Sequence, residues 1–219
     1  MVMKQEVVVI VGGGPGISAS CARVFVREGM QVAIAARNID KPVLRELEKT
    51  HGVLLVACDA VDEQSVVDLF GIVVERLGNP NLVVHNIDGR TREIFRKPIT
   101  EAAAVDVLDT LKNSVYSAFL VGQQAARCLL QNELGERGRG SIIFTNASAA
   151  LKGYPNSGAF AAACHGKAGL AQSMARELMP QGIHVTNVPI DAAIGWTQED
   201  GSRAHRLAGT AEADNLADP

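Results

Sequence analysis

Hydrophobic positions along this chain come in two alternating textures. Short, unbroken apolar runs rich in β-branched residues recur at 7–11, 31–36, 53–57, 81–85, 141–145 and 183–188. Between them, at 18–28, 42–50, 63–77, within 100–134 and at 159–178, apolar residues return every three or four positions. A run without polar alternation marks a strand covered on both faces, whereas a three-to-four spacing marks a helix with one buried side. Strand and helix in repeated alternation predict one parallel sheet with helices on both faces, an α/β, doubly wound, Rossmann-like domain. The punctuation agrees: Gly29 ends the first helix, Pro42 opens the second, Asp62 caps the third and Gly78-Asn79-Pro80 closes it. Region 100–134 reads as a short entry helix followed by a long one over 105–130, and Pro189-Ile190-Asp191 as a turn away from the sixth strand. After Trp196 the periodicity is lost, so the domain spans 1–196, with 197–219 a polar tail or lid, or disordered. No later strand is signalled, which leaves the sixth at an edge.

Composition narrows the class of function. A chain of 219 residues, 47% hydrophobic, can bury a substantial core as a single domain. A formal charge of −3 gives no basis for binding nucleic acid or an anionic membrane surface. No apolar run approaches the roughly 20 residues that span a bilayer, and the apolar N-terminus is a strand entering a glycine loop, not a signal peptide. Cys21, Cys58, Cys128 and Cys164 are scattered, without a C-x-x-C pair or clustered histidines. Reduced thiols, a cytoplasmic setting and no metal site are expected.

Chemistry concentrates where the first strand runs into Gly12-Gly13-Gly14-Pro15-Gly16-Ile17-Ser18. Glycines permit a tight turn and let a phosphate lie against bare backbone, while the following helix aims its unsatisfied N–H groups at the same place. The spacing is Gly12-x-x-x-Gly16-x-Ser18, wider than G-x-G-x-x-G, and a ligand-free turn is the alternative. The loops after the other strands are small or polar as well: Arg37-Asn38, Asp59-Ala60, 86–89, 146–148 and 189–191. A dinucleotide cleft lies at such loops, beyond the carboxyl ends of the strands. No carboxylate stands at the end of the second strand to take a ribose hydroxyl; Arg37 does, and a guanidinium suits a 2′-phosphate. NADP(H) is therefore expected in preference to NAD(H), although a solvated surface arginine would look the same. Asp59 is placed to receive an adenine amino group, or only to shape the next helix's start.

Together these residues resemble the short-chain dehydrogenase/reductase family over nearly the whole chain. The Gly12-x-x-x-Gly16 loop, Arg37, Asp59, the Val84-His85-Asn86-Ile87 stretch, Gly153-Tyr154-Pro155, the helix from Gly169 to Leu178 and Gly182-Ile183-His184-Val185 carry the likeness. The resemblance implies hydride transfer between a nicotinamide coenzyme and a small carbonyl or alcohol. Gly12, Gly14, Gly16 and Ile17 would then seat the pyrophosphate, with Asn86 by the adenosine ribose and Ile190 by the nicotinamide. It also implies a homodimer or homotetramer built on the two long alanine-rich helices. In the family a tyrosine gives the proton, a lysine one turn on lowers its pKa, a serine orients the carbonyl and an asparagine supports a proton path. Here the register puts Phe160, Cys164, Ala147 (with Ser148 beside it) and Ser114 at those four places. A phenyl ring has no proton to give, and losing a positioned acid costs about 10²–10⁴ in rate. Surrogates by position are Ser148, Tyr154, Ser114 and Lys167, which shares a helical face with Phe160 and Cys164. For each, loop packing or solvation is the plainer reading. A nucleotide-binding protein without turnover, acting as a sensor or partner subunit, is the competing function.

Overall fold

A computed structural model describes residues 5–197, 201–205 and 216–217. Six parallel strands form the main sheet: β1 (Val7–Val11), β2 (Gln31–Ala36), β3 (Leu54–Ala57), β4 (Leu82–His85), β5 (Gly140–Ala147) and β6 (Ile183–Ile190). Their order is β3-β2-β1-β4-β5-β6. Chain order reverses between β1 and β4, which is where such a sheet opens a crevice. The apolar runs owe their unbroken character to burial on both faces. Val7, Val9 and Val11 pack on one side with Leu69, Phe70, Val121 and Leu129, and Val8 and Ile10 on the other with Ala19, Ala22, Leu44 and Leu47. Helices α3 (Glu63–Arg76), α5 (Ser117–Leu129) and α6 (Gly158–Leu178) thus cover the first face, and α1 (Ile17–Arg27) and α2 (Pro42–His51) the second. Asp62 caps α3 as the sequence implies, accepting from the Ser65 amide at 2.6 Å; Gly52, not singled out from sequence, closes α2 in the left-handed region at φ 66°.

Three expectations are corrected. The stretch before residue 104 is turns, with no entry helix; α4 (Ala104–Leu111) passes through one π-helical turn, Lys112–Tyr116, directly into α5. Periodicity across 105–130 hides that inserted residue, because an extra residue moves the stripe without ending it. β6 continues through Pro189 to Ile190, paired with Asn146 and Ala147, instead of turning away at Pro189. Pro189 is tolerated because this strand has a neighbour on one side only. Beyond it, β7 (Ala193–Thr197) pairs with β8 (Arg203–His205) and β9 (Leu216–Ala217), so the polar segment contributes strands that its composition does not announce. The rest of the expected tail, 198–200, 206–215 and 218–219, lies outside the described residues. Among the described residues β6 is an edge of the main sheet, as expected.

Candidate functional site

A cleft of about 1180 Å³ opens at the carboxyl ends of β1, β2, β4 and β5 and runs under β7. Its floor at one end is the glycine loop, where each glycine has a different task. Gly12, at φ 106°, sits against the Asn86 backbone carbonyl, and any Cβ there would strike it. Gly13 has no room either, since a Cβ would come within 2.6 Å of Ile34 Cγ2. Both amides donate to the Ala35 carbonyl, at 3.0 and 2.9 Å. These two glycines shape the turn. Gly14 is the open one: nothing lies within 4 Å of the place a Cβ would take. The amides left to face an anion are those at the start of α1, from Gly16 to Ser18, which precede any helical acceptor.

Ser18, which stands where a third glycine was expected, closes a small buried network. Its hydroxyl donates to the Gly12 carbonyl at 2.8 Å and accepts from Asn86 Nδ2 at 2.7 Å; Asn86 Oδ1 in turn accepts from Thr145 Oγ1 at 2.8 Å. The Asn86 side chain is therefore committed to stapling β1, β4 and β5 together, and the residue borders the cleft. Ile17 and Ile190 line the same space, as does Asp59, whose carboxylate also accepts from the Val61 amide at 3.3 Å.

At the β2 end the structure adds a residue that sequence reading missed. Lys41 precedes α2 and lines the cleft with Arg37; its Nζ donates to the Gly13 carbonyl at 2.6 Å. Burial, and then the Arg37 charge beside it, lowers the Lys41 pKa from its ordinary value. Two cations held together next to an open glycine loop form a receptor for a multiply charged anion. Lys41 could have been found as a lysine four residues after Arg37, just ahead of the helix-opening Pro42.

At the other end stand the positions that would handle a proton. Phe160, Cys164 and Lys167 lie on the buried face of α6, with Lys167 only 1% exposed. The plainer reading of Lys167 as a solvated lysine is therefore corrected. Its Nζ donates to the Ile87 carbonyl at 2.6 Å and the Thr145 carbonyl at 3.3 Å, just beyond β4 and within β5. Desolvation lowers its pKa to about 8, and the Asp88 charge works against that shift. Burial pushes the Cys164 thiol the opposite way, to about 11, so it is protonated and inert near neutrality. His85, fully buried at the end of β4, is kept neutral by burial and by the Lys167 charge, and its Nε2 lies 2.9 Å from Ser117 Oγ. Ser148 and Tyr154 border the cleft, Tyr154 half-open at its mouth with Lys152 Nζ 5.1 Å from its ring centre. Ser114 does not reach it. It sits buried in the π turn, covered by Gly89, while its neighbours Asn113 and Ser117 line the cleft. The face of Phe160 is covered by the Arg90 guanidinium, 4.4 Å from the ring centre.

Similarity to known proteins agrees with this geometry. The family profile described as enoyl-(acyl carrier protein) reductase matches residues 12–202. A short-chain dehydrogenase from Rhodopseudomonas palustris is 32% identical, with a TM-score of 0.73 over 85% of this chain and 84% of that one. The 3-oxoacyl-[acyl-carrier-protein] reductase MabA of Mycobacterium tuberculosis is 28% identical over 197 residues, 90% of this chain and 71% of that protein. ElxO with NADP bound superposes with a TM-score of 0.76 over 86% of this chain and 74% of that one at 20% identity, a likeness of fold.

Proposed function

Because the chain belongs to the short-chain dehydrogenase/reductase family, we propose that it is an NADP(H)-dependent oxidoreductase acting on a carbonyl or alcohol, with its proton chemistry rebuilt around Lys167. The observation that carries the reading is the pairing of an open Gly14 with Arg37 and Lys41 at one end of a single cleft. The N–H groups from Gly16 to Ser18 would hold a diphosphate, and Arg37 with Lys41 an additional phosphate on the adenosine ribose. That phosphate would offset both the burial and the Arg37 charge that lower the Lys41 pKa. Asp59 would take the adenine, and Ile190 would pack against the nicotinamide. The coenzyme supplies the hydride when bound. The relative named for reducing 3-oxoacyl groups supports a carbonyl as the acceptor.

Reduction leaves an alkoxide that needs a proton. Phe160 has none to give and Cys164 holds its own too tightly. Lys167, with a pKa of about 8, is the buried group matched to donation near neutral pH. Ser148 or Tyr154, or a water, would carry the proton to the substrate, because both side chains border the same cleft. One observation favours a second reading, a nucleotide-binding protein without turnover: neither Phe160 nor Cys164 can perform the family's acid chemistry.

The test is to titrate purified protein with NADPH and with NADH by coenzyme fluorescence, then follow loss of the reduced coenzyme against a panel of carbonyls. NADPH should bind at least about tenfold more tightly than NADH, and Arg37→Ala and Lys41→Ala should erase the difference. Consumption that Lys167→Met slows by about 10²-fold or more supports the enzyme. Tight binding without consumption supports the second reading, and absence of binding overturns both.

A further inference from the structure

Beside the vacated proton-donor position the cleft carries a fixed cation that the family chemistry does not use. Arg90 leaves the β4 loop and lays its guanidinium on the Phe160 ring at 4.4 Å, with the Phe95 ring 5.4 Å from the same carbon. Asp88 steadies it through Nη2 at 3.4 Å. The two rings and the carboxylate hold the group between them. A guanidinium restrained in this way loses little conformational freedom when it forms further hydrogen bonds. Arg90, Phe95, Phe160, Ser148 and Tyr154 all border the one cleft.

We infer that Arg90 is a specificity-determining residue, selecting substrates that carry a carboxylate on the carbon next to the reacting carbonyl: 2-oxo acids, or 2-hydroxy acids in the reverse direction. The inference rests on the proposed oxidoreductase reading. Phe160 stands where the group nearest the substrate oxygen is expected, and Arg90 lies one contact layer from that ring. A carboxylate and its adjacent carbonyl oxygen share a plane, which is the shape that a guanidinium edge meets with parallel N–H donors. A lysine would offer only a point charge there. A guanidinium binds and polarises and leaves proton donation to another group.

The assignment is tested by comparing phenylglyoxylate with phenylglyoxamide, its uncharged amide, for binding to protein saturated with NADP⁺, a complex that cannot reduce either. Trp196, which lines the cleft, gives a fluorescence readout. The acid should bind at least about tenfold more tightly than the amide. Arg90→Gln should remove that advantage, Arg90→Lys should restore only part of it, and neither should move the NADP⁺ dissociation constant more than about twofold. Equal binding of acid and amide to the wild-type protein overturns the inference without recourse to any variant. So does an Arg90→Gln protein that keeps the preference. Failure of NADP⁺ to saturate the wild-type protein strikes the oxidoreductase reading instead, and is seen before either acid or amide is added.

Discussion

Lys167 is the residue whose environment departs furthest from what its type prefers. An ammonium ion 99% shielded from water is tolerated because two main-chain carbonyls accept from it and Asp88 lies close enough to act on it. Its pKa falls from 10.5 to about 8 on folding, so between those values the unfolded chain holds a proton that the native protein lacks. Stability attributable to Lys167 therefore rises with pH across this window, by about 3 kcal/mol in all, the penalty of burying the charge being complete below pH 8. The buried thiols oppose this: burial raises the Cys164 pKa to about 11, so its contribution is lost as alkali ionises the unfolded thiol. Urea unfolding of wild type and Lys167→Met at pH 7 to 10.5 separates the two effects. The wild-type protein should gain on the variant by about 2–3 kcal/mol over that range, and parallel curves would show that Lys167 keeps its ordinary pKa in the folded protein. Sequence could place Lys167 on the face shared with Phe160 and Cys164, because 160, 164 and 167 follow helical spacing. It could not show that the lysine was buried, since burial depends on the Ile87 and Thr145 carbonyls, distant in sequence. Arg90 was illegible for the same reason, since it matters through the rings and carboxylate the fold brings against it, whereas Lys41 had a local signal in its spacing from Arg37.

At the scale of elements, the strands and helices that owe their form to local pattern were legible almost to the residue. β1 and β2 read as they stand because both faces are buried and every position after the leading Gln31 of β2 is apolar. The π turn at Lys112–Tyr116 and the strands β7 to β9 were not, as neither leaves a periodic trace of its own. The glycine loop lies between these cases. Its glycines were visible, but their division of labour follows from neighbours supplied by other strands. That division predicts opposite outcomes for one substitution at two positions. Gly12→Ala would force a Cβ into the Asn86 carbonyl at a φ of 106° and should destabilise the fold by several kcal/mol, about 3 or more, lowering the melting temperature steeply. Gly14→Ala meets no atom within 4 Å and should melt within a few degrees of wild type, while weakening NADPH binding about tenfold or more by standing where a phosphate would approach. A Gly14→Ala protein that binds NADPH normally would remove the loop from the coenzyme site.

For the whole molecule, one surface asks for a partner. Val105, Leu108, Tyr116 and Phe119 are all exposed, Val105 by 61% and Phe119 by 43%. They lie on the outer side of α4, the π turn and α5, away from the side where Thr110, Ser114, Ser117 and Val121 are buried. Asp109 and Lys112, also exposed, interrupt the stripe with opposite charges. Four large apolar side chains along two joined helices are more than scattered exposure, and a surface carrying both charges can pair with a copy of itself. Val105, Leu108, Tyr116 and Phe119 are not among the residues that line the cleft, so association through the stripe would leave coenzyme entry open. Sedimentation analysis should therefore find a dimer at micromolar protein, or a tetramer if a second surface joins. Leu108→Glu, and independently Phe119→Glu, should raise the dissociation constant about a hundredfold by burying a charge against its own symmetry mate. NADPH binding per chain should survive in the monomers that result. A wild-type protein that sediments as a monomer at high concentration would leave these side chains as surface with no partner of the same kind.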